Sequence, residues 1–405
     1  MIVLAGADLV LPDRVLTKGS LVLEDDKITA VESRTIDTPE GARRIDLPGC
    51  AIVPGFVDVH VHGVEGHDVL DGAQAIAEVA ERLPRFGVTA FCPTSVACDP
   101  ARLRTMLAAV ADAQRTRRAG HAQVLSAHLE SNFINPEYRG AQPEACLRRP
   151  NQQAIGSGVA GEEPYGGRDI LDAISDNRAA VAIVTLAPEL EGALDLVRDL
   201  VRAGHIVSIG HSGATFDLAR AAIDAGVSHA THLFNRMSPM SHRTPGAPGA
   251  VLQDERVKAE LICDGFHVHP AVMHIAIRAK GTDGIMAITD GTAGSGLPVG
   301  SRTRLGGQRI VVTERTAELE DGTLAGSILT MDGAFRTLVR HLGVSLVDAA
   351  RLCATTPARQ VGLRETGRIE VGQVADLAVL DEGLRIRQTF VQGELWRNPS
   401  AGAFV

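Results

Sequence analysis

Aromatic residues are scarce: they make up 3% of the 405-residue chain, with one Trp and two Tyr. At this length, and with 45% hydrophobic residues, the chain still buries a sizeable core, built from Ala, Val, Leu and Ile. Basic residues are outnumbered, 40 Lys and Arg against 49 Asp and Glu, for a formal net charge of -9. With no basic stripe to neutralise phosphates, nucleic acid is not an expected partner. The six cysteines contain no Cys-x-x-Cys pair, which argues for reduced thiols over a disulfide framework. No apolar run approaches the roughly 18 residues of a membrane span, and the opening MIVLAGADLVLPD carries no basic leader. The expectation is a cytoplasmic enzyme with neither a membrane nor a nucleic-acid partner.

What is present is organised around PGFVDVHVHG at 54–63. In an extended strand side chains alternate faces, so His60 and His62 point one way while Val57, Val59 and Val61 take the other. A lone histidine is often a satisfied core residue. A His-x-His pair ending an apolar strand and followed by Gly reads instead as half of a metal site.

Around that stretch the chain changes rhythm. Residues 1–50 show short alternating strands over 1–4, 21–24, 28–31 and 49–53, punctuated by turns, which suits a small β-sandwich. From residue 60 strands and helices alternate. Helical patterns cover 73–86, 100–118, 193–203, 216–225 and 271–280; strands fit 88–94, 123–130, 180–186, 205–211, 228–232, 257–264 and 284–290. With the His-x-His strand this makes about eight strands alternating with helices, the pattern of a (β/α)8 barrel. A hairpin over 308–324 and helices over 329–341 and 345–354 follow, and short strands return from 372 onward. The expected division is a barrel over 54–354 and a small β-sandwich built from 1–53 and 355–405. The Gly-rich stretch 156–167, with Glu162 and Glu163, reads as a surface loop.

Polar residues gather at the strand ends, where barrel enzymes build their sites. His60, His62, Glu130, His211, His232 and Asp290 all fall at or just past an apolar strand. Such a set exceeds what one zinc needs, so it allows two divalent ions bridged by Glu130. Ions of this kind lower the pKa of a bound water toward neutrality, and Asp290 is placed to accept the proton. The chemistry implied is hydrolysis.

Beyond the ligands, the motifs HLE at 128–130, TLAPE at 185–189, GHSGAT at 210–215, THLFN at 231–235, DGFHV at 264–268, ITDGT at 288–292 and GTLAGSILTM at 322–331 carry a resemblance. Over nearly its whole length the chain resembles the amidohydrolase superfamily, and within it the N-acetylglucosamine-6-phosphate deacetylase family. The resemblance implies a metal-activated hydroxide attacking the acetamide of an N-acetylated amino-sugar phosphate, with Asp290 as general base and then acid. It implies Glu130, His211 and His232 as ligands of the metal kept throughout the family, while His60 and His62, replaced by Gln and Asn in one-metal members, add a second. Zinc is the first expectation for the metal, with iron, manganese and cobalt as alternatives. The sugar-phosphate site it implies comprises Asn235, Arg243 and His267, with Ala141, Gln142, Ala325, Gly326 and Ser327 around the sugar; Arg236, outside that pattern, reads either as a solvated loop residue or as an added anion contact. A homodimer is implied too, Arg243 and His267 reaching into the neighbouring subunit's site.

The chain departs from the family pattern at Ser131-Asn132, where Gly-Pro is usual, at Arg236, where a small residue is usual, and at Thr244, where Glu is common. These positions bear on the sugar or the acyl group more than on the reaction. Two other readings stand beside the first: a hydrolase of another N-acyl amino sugar or cyclic amide, and a catalytically inactive barrel used for binding. The second predicts lost ligands, and all six are present.

Overall fold

The computed structural model describes residues 1–150 and 167–397; residues 156–166 of the Gly-rich stretch, with Glu162 and Glu163, lie outside the described residues. Eight parallel strands form the centre: β1 (Phe56–Val61), β2 (Val88–Ser95), β3 (Ala127–Leu129), β4 (Val181–Leu186), β5 (Ile206–Ile209), β6 (His229–Ala230), β7 (Lys258–Ile262) and β8 (Ile285–Ile288). Each pairs with the next. The ring closes just past β8, where Val61 bridges Gly291 and the Asp290 amide donates to the His60 carbonyl at 2.9 Å. Every residue of β1 and β2 is buried, as strands covered on both faces require.

Helices pack outside the ring, and their ends follow local chemistry. Asp99 caps the helix Pro100–Arg115 by accepting from the Ala101 and Arg102 amides, and Pro100 sits where its missing N–H does no harm. The helical pattern over 73–86 divides: the α-helix ends at Arg82 and a tighter turn, Leu83–Phe86, carries Pro84 and ends on Gly87 at φ 80. The single strand read over 123–130 is also two pieces, Gln123–Val124 and β3. In place of a simple hairpin over 308–324 stands a three-stranded antiparallel sheet, Arg302–Leu305, Gln308–Val312 and Ala317–Leu319.

Apart from a two-stranded pair, Gly63–Val64 with His67–Asp68, the remaining strands form one eight-stranded sheet from both ends of the chain. Ala51–Pro54 lies antiparallel to Leu377–Leu380, which stitches the N-terminal strands to the C-terminal ones. Strand Ile2–Val10 pairs with Arg43–Asp46 along its first half and with Ala51–Pro54 near its end, with register shifts between, so the sheet bends. Leu4, Leu9, Leu23, Ile28, Ile52, Leu377 and Phe390 share the core it encloses. Gly55 alone separates this sheet from β1, and a Cβ there would stand 2.3 Å from the Thr89 side chain. Among the described residues no helix is long and apolar enough to cross a membrane.

The start of β1 is anchored from below by a helix. Phe56 and Phe335, both fully buried, stack with ring centroids 5.3 Å apart. Phe335→Ala should therefore destabilise the protein by about 3–5 kcal/mol through lost burial and the cavity left behind, read as a lower midpoint in denaturant unfolding. A loss under about 1 kcal/mol would show that the surroundings collapse into the space.

Candidate active site

The cluster is built where strands end and the chain turns sharply. His60 lies in β1 and His62 just beyond it; Glu130 follows β3, while His211, His232 and Asp290 come two residues after β5, β6 and β8. These last three adopt left-handed φ values of 49°, 29° and 49°. Non-glycine residues rarely do so, and the turn swings each side chain off its strand. Each turn is held by particular partners. Glu189 accepts from Ser212 Oγ at 2.7 Å and the Gly213 amide at 2.6 Å beside His211. The His232 amide donates to Glu260 Oε2 at 3.0 Å. Asp290 receives the Ser327 amide on its carbonyl at 2.7 Å.

The six side chains meet. Glu130 Oε1 lies 2.7 Å from His211 Nε2 and 2.8 Å from His232 Nε2, while its other oxygen is 3.3 Å from His62 Nε2. Asp290 Oδ1 lies 3.3 Å from His60 Nε2 and 3.2 Å from His62 Nε2. Two trios result, His60–His62–Asp290 and Glu130–His211–His232, the ligand atoms of each within 4.8 Å of one another. Glu130 spans both.

The donor chemistry fits divalent ions. His62 Nδ1 is 3.0 Å from the Thr94 carbonyl and His211 Nδ1 is 2.8 Å from the Tyr138 carbonyl. A carbonyl can only accept, so these Nδ1 atoms carry hydrogen and the Nε2 lone pairs face inward. Nε2 atoms only 3.3 Å apart in His60 and His62, and 3.1 Å apart in His211 and His232, call for a shared cation. Between His60 and His62 a proton serves in the protein alone. Burial lowers the His60 pKa, but Glu260, Asp290 and Glu130 outweigh it and raise it to about 9. Burial likewise opposes, and Asp290 and Glu130 enforce, a strong rise at His62. Glu130 is held well below the usual carboxylate range against its burial, chiefly by His211.

Beside the cluster lies a cavity of about 120 Å³, lined further by Ala141, Gln142, Asn235, Arg236, His267 and Gly326. Gln142 bridges the Ala97 amide, which donates to its Oε1 at 2.7 Å, and Glu130, to which its Nε2 donates. His267 is turned inward because Asp264 accepts both its amide and its Nδ1, at 2.9 and 2.6 Å. Burial lowers its pKa, yet the Asp264 hydrogen bond and charge raise it overall. His267 thus lines its own chain's cavity and needs no partner subunit to reach it, contrary to the grouping with Arg243. Arg243 sits exposed on the loop after Arg236, outside the cavity lining. Ala325 and Ser327 are fully buried and do not line the cavity; Ser327 Oγ donates to the Thr289 carbonyl at 2.6 Å, under Asp290.

Several participants escaped the sequence reading. Leu305, from the three-stranded sheet, and Leu324 add apolar walls to the cavity. Beneath the cluster, Glu260 in β7 accompanies His128 and His229, all fully buried. The one available signal was a glutamate in the middle of the apolar strand KAELI.

Comparisons with known proteins follow the same lines. The profile of the amidohydrolase family matches residues 51–396. An N-acetylglucosamine-6-phosphate deacetylase of Lysinibacillus sphaericus is 34% identical over 366 residues, 88% of each chain. An N-acetylgalactosamine-6-phosphate deacetylase of Escherichia coli O157:H7 is 35% identical, covering 93% of this chain and 94% of that protein. A solved structure of an N-acetyl-D-glucosamine-6-phosphate deacetylase mutant from Mycobacterium smegmatis, in complex with N-acetyl-D-glucosamine-6-phosphate, superposes with a TM-score of 0.86 and 31% identity, over 98% of this chain and 99% of that one.

The raised histidine pKa values set a pH dependence. Below about pH 9 His60 holds a proton that a metal must displace, and His62, raised strongly too, holds another, so apparent metal affinity rises with pH. Zinc binding at pH 7 should release about one proton or more, read calorimetrically in buffers of different ionisation heat. Binding with no proton release would contradict the protonation assigned to His60 and His62.

Proposed function

Because the chain belongs to the amidohydrolase family, we infer that it hydrolyses the acetamide of N-acetyl-D-glucosamine 6-phosphate, giving glucosamine 6-phosphate and acetate. The observation that carries this reading is the convergence of four histidines, Glu130 and Asp290 in one cluster that opens onto a cavity at the C-terminal mouth of the barrel. Glu130, His211 and His232 would hold one divalent ion, and His60, His62 and Asp290 a second, with Glu130 facing both. Zinc suits this nitrogen and oxygen set, as do iron, manganese and cobalt. When bound, such ions supply Lewis acidity and lower the pKa of a coordinated water.

The rest falls to the chain's own groups. Asp290, its carboxylate beside His60 and His62 and its carbonyl pinned by the Ser327 amide, takes the proton of the attacking water. The same carboxyl returns that proton to the sugar nitrogen as the C–N bond breaks, so amine and acetate leave and Asp290 is regenerated as a base. Gln142 keeps Glu130 from rotating. His267, Asn235 and Arg236 line the cavity where the sugar enters, with Ala141 and Gly326 at its walls; Ala325 and Ser327 act from behind, through the backbone. Arg236 supplies a cation for the phosphate, and Arg243, exposed on its loop, serves the site of a second subunit in a homodimer. A cytoplasmic location belongs to the same reading, on six unpaired cysteines.

The galactosamine epimer is the second reading, since a relative named for it is as similar as those named for the glucosamine compound. An amine-release assay decides between them, with N-acetylglucosamine 6-phosphate, its galactosamine epimer and the unphosphorylated sugar side by side on metal-analysed protein. Fast turnover of the first is expected; preference for the epimer transfers the assignment, and no turnover of any with metal bound overturns it. Asp290→Asn should keep the ion bound through Glu130, His211 and His232 and reduce kcat by about 10²–10⁴-fold. A near wild-type rate would show that Asp290 is not the general base.

A further inference from the structure

Glu260 is a fully buried carboxylate in β7 that takes no part in the proposed reaction. Its two oxygens are nevertheless fully engaged. Oε2 lies 2.8 Å from His60 Nδ1 and accepts the His232 amide at 3.0 Å; Oε1 lies 2.9 Å from His229 Nε2 and 3.4 Å from His128 Nδ1. One carboxylate therefore touches a member of each ligand trio, the ring of His60 and the backbone of His232.

A buried charge survives only where donors surround it, and these donors could as well be apolar packing if Glu260 merely filled space. The direction of the contacts argues otherwise. An imidazole whose Nδ1–H is held by a carboxylate has its Nε2 lone pair fixed in direction and made more basic. At His232 the same oxygen holds the amide of a residue in the left-handed region, where φ is 29°. We propose that Glu260 is a positioning residue for both ion positions, orienting the His60 ring directly and the His232 turn through its amide. The inference rests on the two-ion reading of the site.

The test uses the protein as purified with its metal, and no sugar. Wild type and Glu260→Gln are dialysed against graded concentrations of chelator, and bound ions are counted. Gln keeps the size and one acceptor but removes the charge. Expected is a loss of about 10–100-fold in affinity for the ion held by His60, with a smaller change for the other, and an altered visible spectrum in the cobalt form. Glu260→Asp keeps the charge but draws back by one methylene, and should lose affinity to an intermediate extent; it decides the matter if Glu260→Gln does not fold. Two ions held with unchanged affinity in the folded variants would overturn the inference alone. One ion per wild-type chain would overturn the two-ion reading and the inference with it.

Discussion

The hydrogen bond from the Asp290 amide to the His60 carbonyl does two things at once. It closes β8 onto β1, and it sets the Asp290 carboxylate against the imidazoles of His60 and His62. The seam continues above and below. Ser327 donates its amide to the Asp290 carbonyl, and Thr289 Oγ1 donates at 2.6 Å to Asp58, a carboxyl on β1 whose pKa burial pushes up to about 7. Opening the barrel at this seam would separate Asp290 from His60 and His62. Fold closure and site assembly are one constraint.

The electrostatics depend on that closure. Four imidazoles and two carboxylates in a space shielded from water repel or attract strongly, and each alone is unfavourable to bury. Packed together they compensate: the carboxylates raise the pKa values of His60 and His62, and the histidines lower that of Glu130. The three left-handed turns at His211, His232 and Asp290 are strain held by surrounding hydrogen bonds, and they occur at two of the proposed ligands and at the proposed base. A more relaxed backbone would continue each strand and point these groups elsewhere.

The sequence shows the barrel because alternation of apolar strands and helices is a local property, and it shows the candidate ligands because each lies at or just past the end of such a strand. What it does not show depends on geometry between distant segments. His60 and Glu260 are 200 residues apart, and their 2.8 Å contact leaves no mark in either neighbourhood except a charge where strand KAELI should be apolar. Leu305 reaches the cavity only because the three-stranded sheet folds over it, its Gln308 side chain donating to the Ala141 carbonyl at 2.7 Å. The strand ends were read too long at 205–211 and 228–232 because left-handed turns at His211 and His232 cannot be distinguished from strand by composition. Family resemblance named His267 but assigned it to a neighbouring subunit; the Asp264 side chain, three residues before it, turns it inward instead.

The departures at Ser131-Asn132 act at one remove from the sugar. Both residues are buried: Ser131 Oγ donates to the Thr185 carbonyl, and Asn132 Nδ2 donates at 2.7 Å to the carbonyls of both Cys98 and Cys146. Asn132 in turn accepts the Arg148 amide, so one side chain and one carbonyl tie the segment that carries Ala141 and Gln142 to the end of β2. Gln142, anchored to Ala97 at that same strand end, then fixes Glu130. Substitution of Gly-Pro by Ser-Asn is thus absorbed by the scaffold under Glu130, and the open wall of the cavity is left to Asn235, Arg236, His267 and Leu305. On the proposed reading, selectivity between amino-sugar epimers rests with that wall, because the opposite end of the cavity is fixed by the contacts of Glu130 with Gln142, His211 and His232.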